Sequence, residues 1–171
     1  MNIDLKIFDK TEFEVTMINN HINDTDLVKD IYRDCKSCRE WSCHTVYDGR
    51  FYKCSAAPFT GARLGLKGIA FDNLASDGIA LHDNPNLYEE LERYLNDPLP
   101  LAACSYCLGS SGPSVPHRQL NRKGRQQWLE EDNSADIEAA RRRLNPNRKR
   151  LYQVSESVTH NHRGIPEAAQ I

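Results

Sequence analysis

Apolar and polar residues alternate at the start of the chain: Ile3, Leu5 and Ile7, then Phe13, Val15 and Met17. A period of two predicts strands, and Asp9-Lys10-Thr11 supplies a turn between them. The period then changes. Leu27, Val28, Ile31 and Tyr32 fall on one helical face, so Thr25–Arg33 should be a helix capped by Asp24 or Thr25. Further on, aromatic and β-branched residues flank Asp48-Gly49. That dipeptide favours a two-residue type I′ turn, so a hairpin should pair Tyr47 with Arg50, Val46 with Phe51, Thr45 with Tyr52 and Cys43 with Cys54. Opposed residues hold their Cβ atoms ~4.5–5.5 Å apart, which would set two thiols side by side.

Residues 58–84 read as a loop punctuated by Gly61, Gly65, Gly68 and Gly78, with a short strand at Gly78–Leu81. Pro85–Asn96 predicts a second helix, with Asn84 as cap and Pro85 in its first turn. Glu89, Glu90 and Glu92 sit towards the positive end of its dipole, Leu87, Leu91, Tyr94 and Leu95 form its apolar side, and Pro98 and Pro100 stop it. A third helix is expected at Ser134–Leu144, where Ile137, Ala140 and Leu144 are in phase. The fold class is therefore α+β: a small Cys-rich domain with a central β-hairpin and two to three helices.

The chain has 171 residues, 39% of them hydrophobic, a length suited to one domain with appendages. The net charge of −2 gives no overall attraction to nucleic acid or to an anionic membrane. No apolar run approaches the ~20 residues of a membrane helix, and MNIDLKIFDK has no apolar stretch of the secretory type. These features predict a cytoplasmic protein. Charge divides the chain unevenly: acidic residues outnumber basic ones up to 116, the balance reverses over 117–150, and 151–171 reads as a disordered tail.

Six cysteines stand at 35, 38, 43, 54, 104 and 107. In a reducing compartment such clustering points to metal or redox chemistry rather than to disulfides. Thiolates favour zinc, copper(I) and iron–sulfur clusters. Each C-x2-C pair, Cys35/Cys38 and Cys104/Cys107, offers two ligands from one turn, and the hairpin offers Cys43 and Cys54. Four thiolates fill a zinc site or a [4Fe–4S] cluster. A structural zinc on Cys35, Cys38, Cys104 and Cys107 is one alternative, although the gap between the pairs far exceeds the ~15–20 residues of a zinc ribbon. A thioredoxin-like role lacks its βαβ setting.

The run from Cys38 through Gly49-Arg-Phe-Tyr-Lys-Cys54, a gap, and then Cys104-Ser-Tyr-Cys107 resembles the C-terminal auxiliary-cluster region of radical SAM enzymes, called SPASM or, in shortened form, twitch domains. Gly49 and Cys54 match the family's Gly-x4-Cys element, and a single late Cys pair resembles the one-cluster twitch type. The resemblance covers about residues 27–112. It implies one [4Fe–4S] cluster on Cys54, Cys104 and Cys107. The first ligand is open: the family spacer admits Cys38 or Cys35, whereas the hairpin geometry favours Cys43. The expected set is Cys43, Cys54, Cys104 and Cys107, with Cys38 and then Cys35 as alternates.

The resemblance also divides the chain: 1–20 as a remnant of terminal barrel strands, 21–116 as the iron–sulfur domain, 117–150 as a basic helical extension and 151–171 as the tail. Radical SAM catalysis needs C-x3-C-x2-C, whereas Cys35, Cys38 and Cys43 read C-x2-C-x4-C. S-adenosylmethionine would accordingly belong to a barrel domain or subunit absent from this chain, and no catalytic residue is assigned here.

Other groups have plainer readings. His44 points to the hairpin face opposite Cys43, His117 is a loop histidine, and His160 and His162 lie in the tail. Gly109-Ser-Ser-Gly112 either aims N–H groups at cluster sulfurs or is a plain turn. Tyr47, Tyr52 and Tyr106 either line a substrate cavity or shield the cluster from water. Arg141–Arg143 and Arg148–Arg150 lack interleaved aromatics and read as a solvated face, not a nucleic-acid site.

Overall fold

The structure is a computed structural model and describes residues 12–117, 119 and 121–145. It is α+β. In chain order the first elements are β1 (Glu12–Glu14), α1 (Thr25–Asp34), α2 (Lys36–Arg39), β2 (Thr45–Tyr47), β3 (Arg50–Tyr52), α3 (Ala57–Gly65) and α4 (Leu74–Asp77). There follow β4 (Ile79–Ala80), α5 (Leu87–Asn96), β5 (Ser114–Pro116), α6 (Arg122–Glu130) and α7 (Ser134–Leu144), with 3-10 turns at Ala102–Tyr106 and Gly109–Ser111. β1 pairs with β5, and β2, β3 and β4 form a second antiparallel sheet in that order.

The apolar stripe of α1 is buried through Leu27, Val28, Ile31 and Tyr32, and Asp24 caps it by accepting from the Asp26 and Leu27 amides at 3.1 and 3.0 Å. The hairpin has the expected register, Thr45 opposite Tyr52, Val46 opposite Phe51 and Tyr47 opposite Arg50. Asp48 and Gly49 both take positive φ, 47° and 67°, as a type I′ turn requires. Of the alternating N-terminal stretch, Phe13 lies in β1, Val15 donates to the Pro113 carbonyl and Met17 bridges Cys107. Ile3, Leu5, Ile7 and the Asp9–Thr11 turn lie outside the described residues, as do the tail and Arg148–Arg150.

The segment expected to be a loop holds two helices, α3 and α4. Gly61 sits inside α3 because a Cβ there would lie 2.5 Å from the Phe71 carbonyl oxygen; the helix packs that closely on the returning chain. α7 has the bounds that its apolar phase predicted. Its Ala140 is buried against α1, and Arg141 pairs with Asp24 and Glu138.

Two small cores result. One gathers Ile18, Ile22, Leu27, Val28, Ile31, Leu108 and Ala140; the other gathers Tyr52, Ala57, Leu101 and Ala103. Cys104 packs against both. The seam between the two cores is therefore where the cysteines meet. Cores this small are the kind that other crosslinks, metals included, commonly reinforce.

Candidate metal centre

Each cysteine reaches the seam by a local device. Cys35 ends α1 and begins α2, and Cys38 follows within that short helix. Cys54 comes just after β3, where its carbonyl accepts the Ala57 amide at 3.3 Å as the chain turns into α3. Cys104 lies in the first 3-10 turn and Cys107 ends it, their backbones joined by a 3.2 Å hydrogen bond. The N-terminal segment holds this turn in place: Ile18 and Ile22 donate to the Tyr106 and Ser105 carbonyls, and Leu108 donates to Thr16.

Cys35, Cys38, Cys54, Cys104 and Cys107 line one cavity of about 30 Å³, whose other walls are largely apolar and include Ile31, Leu101 and Ala103. Cys43 does not line it. The ladder stops at Thr45 and Tyr52, so the expected Cys43–Cys54 pairing is not made. Ser42 takes a positive φ of 49° and the Cys43 amide donates to the Ser37 carbonyl at 2.8 Å, which turns this stretch back onto α2. The structure thus gathers Cys54, Cys104 and Cys107 with both alternates, Cys38 and Cys35, and leaves the favoured Cys43 apart.

The five thiols have contrasting proton affinities. Cys38 is pushed well up by the neighbouring Cys35 thiol, then by that of Cys54, and by burial. Cys35 and Cys54 are lowered by the same neighbour, Cys35 to about 6 and Cys54 to about 7, against the opposing effect of burial. Backbone N–H groups reinforce this, from Cys38, Ser37 and Ser110 towards Cys35 and from Ala56 and Ala57 towards Cys54. Burial drives the late pair the other way: Cys104 is raised, and Cys107 is pushed up to about 12, eased by the Gly109 N–H donating to its Sγ at 3.3 Å and by Arg63. A thiolate in so apolar a setting needs a cation to stabilise it.

Two cations, Lys53 and Arg63, are buried in this part of the fold. Lys53 spends its three protons on the carbonyls of Tyr94, Asp97 and Leu99, at 3.4, 3.2 and 3.3 Å. Arg63 donates to the Asn19 side chain at 2.7 Å and to the Ile18 carbonyl, stacks over Trp128, and keeps an Nε without a partner. Neither has a carboxylate in ion-pair reach among the described residues. Buried charges are ordinarily paired, so an anionic thiolate at Cys107, which the Arg63 charge reaches, fits this environment better than a neutral thiol does. The donor set is all sulfur, which suits zinc or an iron–sulfur cluster. Among the described residues, no three His, Cys, Asp or Glu side chains are disposed to hold a single metal ion.

Sequence reasoning missed the residue that fixes the late pair. Asp77 is fully buried, and its carboxylate accepts from the Ala102 and Ala103 amides at 2.6 and 2.9 Å and from the Asn73 side chain at 2.7 Å. It thereby caps the turn that carries Cys104. Asp77-Gly78 reads locally as a turn; the only signal was the polar i, i+4 pair with Asn73.

The other candidates are dispersed. Tyr52 is buried in the second core, Tyr106 packs on His21 and Phe71, and Tyr47 meets Phe59; Tyr32 is the tyrosine that lines the thiol cavity. His44 is exposed against Phe51, and His117 packs on Phe13. Gly109 does aim its N–H at sulfur. It takes φ +52°, and a Cβ there would stand 3.1 Å from the Cys35 Sγ. Gly109→Ala should therefore cost about 2 kcal/mol, from left-handed strain and the pressed sulfur together. Urea unfolding with an unchanged slope checks this.

A scan against protein-family models finds no matching family, and a search of curated proteins finds no match. Among the described residues, no helix is long and apolar enough to cross a membrane.

Proposed function

We propose that this chain binds one auxiliary [4Fe–4S] cluster as the C-terminal part of a cytoplasmic radical SAM enzyme. The observation that carries the reading is the convergence of five cysteines, from three separate parts of the sequence, on one cavity between two small cores. Cys54, Cys104 and Cys107 are the assigned ligands, with Cys38 as the fourth and Cys35 as its alternate. The SPASM/twitch resemblance of the sequence supports the choice of cluster. Zinc is the alternative, as a structural or interaction module without redox chemistry.

When bound, such a cluster supplies one-electron chemistry. The chain's own residues set its surroundings. Gly109, Ala56 and Ala57 direct N–H groups at the sulfurs. Arg63 and Lys53 supply positive charge, and the apolar wall excludes water. Five available thiols leave no shortage of protein ligands, which favours electron transfer or fold stability over direct substrate ligation. Substrate positioning is the third role such a domain can serve. The partner is a radical SAM barrel domain or subunit that binds S-adenosylmethionine. Nucleic acid is not favoured, since Arg141 is already engaged by Asp24 and Glu138.

Anaerobic purification tests this. The expected product is brown, with absorbance near about 400 nm and about four irons and four sulfides per chain. Colourless protein with one zinc per chain would establish the alternative.

A further inference from the structure

A second, open pocket of about 370 Å³ lies beside the thiol cavity. Cys38 and Tyr32 line both. Its walls also carry Arg39, Ser42, His44, Lys53 and Asn96, and no Asp or Glu among the described residues. Arg39 and Lys53 share one aromatic ring: the Arg39 Cζ lies 5.6 Å and the Lys53 Nζ 5.1 Å from the Tyr32 centroid. A ring face offsets such charges only in part.

The two cations contribute differently. Lys53 has no proton to spare and lends only its field. The Arg39 side chain has no hydrogen bond or ion pair among the described residues, so its planar fork is available to an oxyanion. Ser42 adds a hydroxyl. Asn96 keeps one amide proton after donating the other to the Glu92 carbonyl at 2.7 Å. The volume falls in the range of small-molecule sites, about 300–1,000 Å³.

We propose that this pocket binds the carboxylate or phosphate of a small organic molecule and seats it against Cys38. The preference for oxyanions follows from Arg39 and Lys53 alone; that the bound group lies beside a metal centre rests on the function proposed above.

Calorimetry on the anaerobically purified full chain at low ionic strength tests it, with succinate, inorganic phosphate and the neutral analogue succinamide as probes. At least one oxyanion should bind about tenfold more tightly than succinamide, and Arg39→Gln should weaken it about tenfold, equivalent to about 1.4 kcal/mol. Lys123→Gln, on exposed α6, should leave binding unchanged. Binding of succinate alone assigns a carboxylate ligand, of phosphate alone a phosphate ester, and of both the shared oxyanion chemistry. No oxyanion binding, equal binding of succinamide, or indifference to Arg39→Gln overturns the proposal. The absorbance near about 400 nm is read on the same sample. A colourless chain that still binds succinate would overturn the cluster and leave the pocket standing.

Discussion

Replacing Cys104 and Cys107 together by serine should strip the centre: iron falls from about four per chain to below about one, and the band near about 400 nm is lost. Both side chains lie on one short turn at the seam of the two cores, and both face the shared cavity. Serine is a hard oxygen donor whose proton is held far more tightly than a thiol's, so it replaces thiolate poorly. Cys43→Ser is the matching control. Cys43 lies off the cavity, and its loss should leave iron content within error of the unaltered chain. The contrast separates the observed geometry from the hairpin-register expectation, which gives the opposite result for Cys43.

Asp77→Ala should lower the unfolding free energy by about 3–5 kcal/mol, near the top of the range for single substitutions. The carboxylate satisfies two backbone amides and one side-chain amide in a fully buried position. Its removal leaves those donors without acceptors, each at a cost of about 1–3 kcal/mol before relaxation. Asp77→Asn keeps one oxygen but turns an N–H towards donors, and should cost about 2 kcal/mol. Urea denaturation checks both, with the midpoint moving and the slope held. Iron occupancy should fall in parallel, because the same bonds hold the turn that carries Cys104. A loss of stability with full iron retention would separate Asp77 from the site.

Where local chemistry decided structure, the sequence was readable. Asp48-Gly49 dictates its own turn, so the hairpin and its register followed. The stripes on α1 and α7 announced both helices. Where long-range packing decided, reading failed. Gly61 looked like a loop residue, yet it lies in α3 because of a carbonyl ten residues away. α4 is short and carries the buried polar residue Asp77, whose two backbone donors, Ala102 and Ala103, are distant in sequence. α6 presents Arg122, Lys123 and Arg125 with little apolar phase, so it was legible only as part of a basic helical extension and not by its bounds. The site was half legible. C-x2-C spacing identified thiols that belong together, but extrapolating the hairpin register past its last rung chose Cys43. The left-handed Ser42 ends that extrapolation. Nothing local marks Lys53 as buried, since the three carbonyls that bury it arrive from the end of α5 and beyond.

Thiol mapping addresses the central claim, that cysteines remote in sequence jointly hold one iron–sulfur centre. Anaerobically purified chain is alkylated with iodoacetamide before the iron is removed, and again after it is removed by chelator and oxidant and the thiols are returned to the reduced state with a phosphine, and each cysteine is read by peptide mass spectrometry. Cys54, Cys104, Cys107 and one of Cys38 and Cys35 should be protected before removal and labelled afterwards, while Cys43 labels in both states. Protection of Cys43 with free labelling of Cys104 and Cys107, or no difference between the two states, would contradict the account.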